Sequence, residues 1–165
     1  TAAAWTAAIR RRDGPTSLVL TRQNLPFVKR GPEQISAIAR GGYVISEAAG
    51  GTARAIVIAT GSEAGIALEA QRLLAAEGIA VRVVSMPSTS VFDRQDAAYR
   101  ESVLPQGVPR VAVEAGVTDY WRKYVGLEGA VVGIDRFGES APGSELFRHF
   151  GFTAQNVASA VKRVL

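Results

Sequence analysis

One arginine in the first thirty residues has the surroundings of an anion ligand. Arg22 follows the apolar run Ser17–Leu20, which we predict to be a short buried strand, and the polar residues Gln23 and Asn24 come after it. A guanidinium group at the end of a strand can hold a phosphate group through paired, charge-assisted hydrogen bonds. A surface arginine or a salt-bridged arginine fits the same pattern, so the residues alone leave both interpretations open.

A glycine-containing loop, Thr60–Ser62, joins a predicted strand to a predicted helix. Backbone amides at such a junction can bind a phosphate group. The loop does not carry the G-x-G-x-x-G dinucleotide motif, because only Gly61 and Gly65 are present. Thr60 and Glu63 have the spacing of a helix capping box, which is the interpretation that we favour.

The segment Gly138–Pro142 differs from the G-x-S-x-G nucleophile motif in having proline at its last position. As a nucleophile, Ser140 would need an acid and then a histidine downstream. The chain offers only Glu145 and His149, which lie four residues apart on one predicted helix. We therefore expect Ser140 to cap that helix and His149 to be a packed or surface histidine.

Two carboxylates, Glu114 and Asp119, flank a turn at Gly116 after a predicted strand, a position where α/β proteins form sites. Paired carboxylates can carry out acid–base chemistry, but a helix cap at Asp119 explains the same pattern. No candidate forms a complete active site. We therefore expect no catalytic residue, no cofactor-binding residue and no metal ligand in this chain.

The composition restricts the classes of protein to consider. The chain has 165 residues, of which 47% are apolar and 21% charged, as in a soluble globular domain. The absence of cysteine excludes a disulfide scaffold and thiol catalysis, and no apolar run reaches the roughly 20 residues of a membrane span. Because Met86 is the only methionine, we expect the chain to be a piece of a longer protein.

The basic charge is concentrated at the start of the chain. Lysine and arginine outnumber acidic residues by five in residues 1–30, whereas acidic residues are in excess by one in residues 31–165. This change and a proline-bearing polar stretch predict a domain boundary near residue 30. Because residues 31–165 lack a basic stripe, we expect no nucleic-acid partner.

The elements that must position these residues alternate between strands and helices, which predicts an α/β fold with a mainly parallel sheet. A truncated helix is predicted over Thr1–Arg12, and the others begin near residues 63, 90, 119, 142 and 153. Beyond residue 30 the predicted strands are Tyr43–Ile45, Ala55–Ala59, Ile79–Val84, Arg110–Val113 and Ala130–Ile134.

Several segments resemble bacterial-type transketolase, in order and over nearly the whole chain. Leu20–Pro26 resembles the end of its pyrimidine-binding middle domain. The segments that resemble its C-terminal domain are Gly41–Val44, Ile58–Glu63, Val83–Thr89, Tyr99–Pro105, Val113–Gly116, Phe137–Pro142 and Phe150–Thr153. The resemblance implies a three-layer α/β sandwich for residues 31–165, with residues 1–30 forming the last helix and strand of the middle domain and a linker.

The resemblance also implies a function. Transketolases transfer a two-carbon ketol unit between sugar phosphates in the pentose phosphate pathway, as cytoplasmic homodimers that use thiamine diphosphate and a divalent metal, Mg or Ca. In the family, other domains hold the diphosphate, the metal and the catalytic residues. We therefore expect no cofactor on this chain and no activity from it in isolation.

Of the family's substrate ligands, one carries over: Arg22 matches the arginine that holds the sugar-phosphate group. Thr21 stands where serine is also common, a change that does not affect the arginine. The alternative function is a stand-alone module that binds a small ligand or forms dimers without catalysis. Related thiamine-dependent enzymes, deoxyxylulose-phosphate synthase and dihydroxyacetone synthase, share the fold, but the segments Arg22–Pro26 and Phe137–Pro142 favour transketolase over the first of these.

Overall fold

The computed structural model describes residues 1–165. One sheet of five strands has the order β1-β3-β2-β4-β5, with β1 antiparallel to β3 and all other neighbours parallel. The strands are β1 (Tyr43–Ser46), β2 (Ala55–Ala59), β3 (Val81–Ser85), β4 (Arg110–Val113) and β5 (Ala130–Val132). The first and last residues of each strand agree to within two residues with those of a strand predicted from the sequence.

Eight α-helices and two short 3-10 helices accompany the sheet. The 3-10 helices cover Ile38–Arg40 and Asp119–Trp121. The α-helices are α1 (Ala2–Arg10), α2 (Pro32–Ala37), α3 (Glu63–Ala76), α4 (Thr89–Asp93), α5 (Ala97–Val103), α6 (Arg122–Val125), α7 (Gly143–His149) and α8 (Ala154–Val164).

Helices cover the sheet on both faces, as its apolar strands require. The central strand β2 is fully buried along its length, a pattern typical of parallel strands covered on both sides. On one face β2 packs with α3 and α8, and on the other with the helical segments between β3 and β5. The predicted three-layer α/β sandwich with a mainly parallel sheet is confirmed.

The helices that follow the neighbouring strands β2 and β4 lie on opposite faces of the sheet. The chain leaves β2 through α3 on one face, whereas it leaves β4 through α6 on the opposite face. In open α/β sheets, a crevice forms where neighbouring strands send their helices to opposite sides. The candidate loops after β2 and β4 therefore lie together, at the carboxyl ends of these two strands.

The predicted strand at Ser17–Leu20 is wrong. No strand of the sheet pairs with this segment, and Val19 and Leu20 are 94% and 58% exposed. A strand depends on a neighbour for its backbone hydrogen bonds, and the five paired strands all lie beyond residue 42. The predicted helix at the start of the chain is present as α1.

Two helix starts also differ from the prediction. The helix expected from residue 90 to residue 104 is divided into α4 and α5, because the Asp96 side chain accepts a hydrogen bond from the Tyr99 backbone amide and starts a new helix. At α7 the capping residue is Pro142, so the cap predicted at Ser140 is wrong.

Candidate functional site

Arg22 lies at a bend in a segment without helix or strand, which runs past the carboxyl ends of the strands. The side chain is exposed and has no hydrogen-bond or salt-bridge partner. The next residue, Gln23, lies beside Gly143 at the start of α7, which follows β5. No side chain of residues 1–165 therefore competes with an anion for Arg22.

The same segment then passes the start of α3. Leu25–Val28 and the residues Gly61–Gly65 line opposite sides of a cavity of about 340 Å³. Arg30 ends the crossing, since its Nε donates to the Tyr43 hydroxyl at 2.8 Å and its guanidinium also donates to the Val28 carbonyl at 2.8 Å. The segment thus runs over the start of α3 to the start of β1.

A buried carboxylate closes the crevice between β2 and β4. Glu63, the first residue of α3, is 5% exposed. Its Oε1 accepts a hydrogen bond from the Ala115 backbone amide at 3.3 Å, and its Oε2 accepts one from the Ser62 hydroxyl at 3.1 Å. The predicted capping box is therefore wrong, because the Glu63 side chain joins α3 to the loop after β4 and Thr60 is not the cap.

Burial determines the electrostatics of this carboxylate. Loss of hydration raises the pKa of the Glu63 carboxyl, and the negative charge of Glu114 raises it further, against the lowering effect of the hydrogen bonds that Glu63 accepts. An anion at the N-terminus of a helix takes the position at which α/β proteins bind phosphate groups. Glu63 thus acts as an internal anion, an arrangement that disfavours a phosphate ligand there.

The second carboxylate of the crevice, Glu114, accepts a hydrogen bond from the indole Nε1 of Trp121 at 2.5 Å. Trp121 is 1% exposed, so this bond satisfies a buried donor. Asp119 makes no corresponding contact and does not cap the helix. The structure therefore does not pair Glu114 with Asp119, and it gives Glu63 and Glu114 each a structural hydrogen-bond partner.

The remaining candidates come together on the surface after β5. The imidazole Nε2 of His149 lies 2.8 Å from Arg136 and 3.4 Å from the carboxylate of Glu139. All three side chains are about half exposed, and no nucleophilic side chain bonds to the histidine. The expectation of a surface histidine agrees with this geometry, and Ser140 is not among its partners.

The residues of this chain do not fit a diphosphate–metal cofactor. Nowhere do three histidine, cysteine, aspartate or glutamate side chains converge as metal ligands would. The crevice that could otherwise hold a diphosphate contains Glu63.

None of the helices is long and apolar enough to cross a membrane.

Sequence reasoning missed Glu63 and Glu139 as site residues. Glu63 had a plausible role as a cap, and only the strand order shows that the loop after β4 lies within reach of its carboxylate. A signal was present, since Glu63 and Glu114 each closely follow an apolar strand, and such positions meet at one end of a parallel sheet.

Comparison with known proteins assigns the family. A family model described as the transketolase-like C-terminal domain matches residues 41–153. Transketolase 1 of Escherichia coli (strain K12) is 58% identical over 165 residues, which cover 99% of this chain and 25% of that protein. Transketolase 2 of Pasteurella multocida is 55% identical with the same coverage. The chain thus spans about a quarter of the length of the curated relatives it matches.

Solved structures agree in fold. A transketolase from Leishmania mexicana has a TM-score of 0.88 at 37% identity, over 98% of this chain and 24% of its own. A Pichia stipitis transketolase in complex with sedoheptulose-7-phosphate has a TM-score of 0.88 at 40% identity, over 98% and 23%. A chain described as a split gene transketolase, an inactive β4 tetramer, has a TM-score of 0.63 at 30% identity, over 87% and 48%. The sequence resemblance is confirmed, and the chain belongs to the transketolase family through its C-terminal domain.

Proposed function

We propose that the protein carrying this chain is a transketolase, which transfers a two-carbon ketol unit between sugar phosphates, and that Arg22 binds the phosphate group of the sugar. One observation carries the proposal: the match to curated transketolases covers 99% of the chain, so it includes Arg22 together with the C-terminal domain. A solved relative is described as a complex with a sugar phosphate.

The surroundings of Arg22 support its role. Within residues 1–165 the Arg22 guanidinium has no hydrogen-bond or salt-bridge partner, so this part of the protein takes none of the donors that a ligand would need. The crevice between β2 and β4 is less suited to a phosphate group than Arg22 is, because the Glu63 carboxylate already lies at the start of α3, where a phosphate group would bind. A phosphate ligand of this chain is therefore better accommodated at Arg22 than at the crevice.

Thiamine diphosphate and a divalent metal follow from the family in general. Because this chain offers no converging metal ligands, we propose that parts of the protein outside residues 1–165 hold both groups. We accordingly expect no turnover by the chain alone when thiamine diphosphate, Mg²⁺ and sugar phosphates are supplied. Measurable turnover would contradict this expectation.

The organisation of the chain is part of the same proposal. We assign residues 1–30 to the end of the middle domain and a linker, and residues 31–165 to the C-terminal domain. The exposed apolar side chains of Val19 and Leu20 support this division, since such residues are commonly covered by a neighbouring domain. We further propose a cytoplasmic homodimer for the whole protein, as in the family.

The experiment that tests the proposal is the substitution Arg22→Ala in the full-length protein. Loss of a charge-assisted hydrogen bond costs about 1.5–3 kcal/mol, which corresponds to about a 10- to 150-fold weaker affinity. Because the phosphate group is remote from the bond that breaks, we expect KM for phosphorylated sugars to rise while kcat changes little.

Arg163→Ala is the matched control, because Arg163 is also exposed and without a side-chain partner. Both variants lose one positive charge, so a general charge effect would change them equally. A fall in kcat at constant KM in Arg22→Ala, or an equal change in the two variants, would contradict the role of Arg22.

A further inference from the structure

A cavity of about 620 Å³ between α5 and α6 has no part in the proposed function. Arg110, the first residue of β4, lines it, whereas the crevice that contains Glu63 lies beyond the last residue of this strand. We propose that this α5–α6 cavity binds a small organic molecule with one carboxylate group. The inference does not depend on the proposed role of Arg22.

A partly buried arginine supplies the positive charge at the base of the cavity. The two terminal nitrogens of this residue, Arg110, donate to three main-chain carbonyls at 2.8–2.9 Å, those of Leu104, Pro105 and Tyr124. These acceptors are uncharged, so they do not neutralise the guanidinium. The remaining donor, Nε, is buried and has no acceptor in residues 1–165. Because buried polar groups are almost always paired, this donor calls for an acceptor from outside these residues.

The charged side chains around the cavity leave one positive charge in excess. Lys123 and Asp93 form an ion pair at 2.7 Å and neutralise each other. Of the other three, Arg100 and Arg110 are cationic and Glu101 is anionic. One excess charge matches a monocarboxylate, whereas a phosphate monoester carries about 1.5–2 negative charges at pH 7 and would be left partly unneutralised.

The apolar walls of the cavity favour an organic ligand over a bare inorganic anion. The side chains of Phe92, Leu104 and Tyr124 are buried and line the cavity on the side of the sheet. Ala97 and Ala98 line it on the side of α5, and their short side chains leave space for a ligand. A hydrocarbon group can therefore pack against the walls while the carboxylate faces the guanidinium, a combination typical of small-molecule sites.

The test uses the full-length protein and three probes that share one aromatic ring: benzoate, benzamide and phenyl phosphate. Benzamide is neutral, benzoate has one negative charge, and phenyl phosphate has nearly two. In isothermal titration calorimetry we expect benzoate to bind at least about 10-fold more tightly than benzamide, the effect of one charge-assisted hydrogen bond. We also expect it to bind more tightly than phenyl phosphate.

Two alanine variants locate the binding. Ala98→Phe fills the cavity without removing a charge or a side-chain hydrogen bond, so it should abolish benzoate binding. Ala76→Phe is the matched control, because Ala76 is also an exposed helical alanine but does not line the cavity. It should bind benzoate as the native protein does, and both variants should keep the native kcat.

A charge variant tests the match between cavity and ligand. Glu101→Gln raises the excess positive charge from one to two, and the amide oxygen can still accept the hydrogen bond that Glu101 accepts from the backbone amide of Gln106. We expect this variant to bind phenyl phosphate more tightly than benzoate, which reverses the native preference.

Four results would overturn the inference. They are no detectable benzoate binding, equal affinities for benzoate and benzamide, unchanged benzoate binding in Ala98→Phe, and loss of benzoate binding in Arg22→Ala. The last result would place the probe at the proposed phosphate ligand and not in the cavity. The proposed function is tested separately by KM for phosphorylated sugars in Arg22→Ala, so the two failures are distinguishable.

Discussion

The buried carboxylate of Glu63 makes the stability of this domain dependent on pH, and Glu63→Gln should remove that dependence. Because burial raises the pKa of Glu63, the folded state holds its proton to a higher pH than the unfolded state does. The free energy of unfolding therefore falls as the pH rises above the ordinary value of 4.5, until the folded-state pKa is passed. Glutamine has nearly the same shape but no charge to bury.

The magnitude follows from the two hydrogen bonds of Glu63. In Glu63→Gln, the amide oxygen accepts from the Ala115 amide, and the amide nitrogen donates to the Ser62 hydroxyl, so both contacts persist. The substitution removes the buried charge, so its effect is near zero where Glu63 is protonated and becomes stabilising at higher pH, because the lost attraction of the charge to the N-terminus of α3, about 0.3–1 kcal/mol, is smaller than the cost of burying the charge. In Glu63→Ala both bonds are lost and the Ala115 amide loses its partner, which costs about 1–3 kcal/mol.

The assay is urea unfolding of the chain at a series of pH values from 4 to 8, for the native sequence and both variants. We expect the stability of Glu63→Gln relative to the native sequence to increase with pH and then become constant. Glu63→Ala should be less stable than Glu63→Gln at every pH, with a free energy of unfolding lower by about 1–3 kcal/mol. A difference between Glu63→Gln and the native sequence that does not change between pH 4 and 8 would refute the reasoning.

Two further substitutions test the packing around the sheet. Arg110 donates three hydrogen bonds of 2.8–2.9 Å to main-chain carbonyls after α5 and in α6, so Arg110→Ala should lower the free energy of unfolding by about 2–4 kcal/mol, and a loss below 1 kcal/mol in urea unfolding would contradict that role. Gly41→Ala should cost about 3 kcal/mol or more, because its φ is +85° and the new Cβ would lie 2.4 Å from the Ser88 carbonyl oxygen. Gly50→Ala, at φ +74° in open space, should cost only about 1 kcal/mol; equal losses in the two glycine variants would show that the close approach is unimportant.

The strands beyond residue 42 were predictable from the sequence because their signals are local. Ala55–Ala59 is a short, continuous apolar run, and the structure buries it completely as β2. The same local signal at Ser17–Leu20 predicted a strand that is absent. An apolar run shows that a segment is suited to a sheet, but it does not show that a neighbouring strand is available.

The site was less predictable because its contacts join segments that are distant in sequence. The spacing of Thr60 and Glu63 is correct for a capping box, and the competing partner of Glu63 is the amide of Ala115. Nothing near Glu63 in the sequence identifies that amide, whose proximity depends on β4 lying next to β2. Arg22 stood out because of a family resemblance, since its local sequence fits a surface arginine equally well.

The contacts across the carboxyl ends of the strands fill the crevice between β2 and β4 with parts of the same chain. Glu63 provides the negative charge at the start of α3, and the segment that ends at Arg30 runs over that position. Both features disfavour an anionic ligand at the start of α3. The proposed phosphate ligand, Arg22, lies on that segment and outside the crevice. Substitutions of the crevice carboxylates should therefore change stability, whereas substitution of Arg22 should change the binding of sugar phosphates.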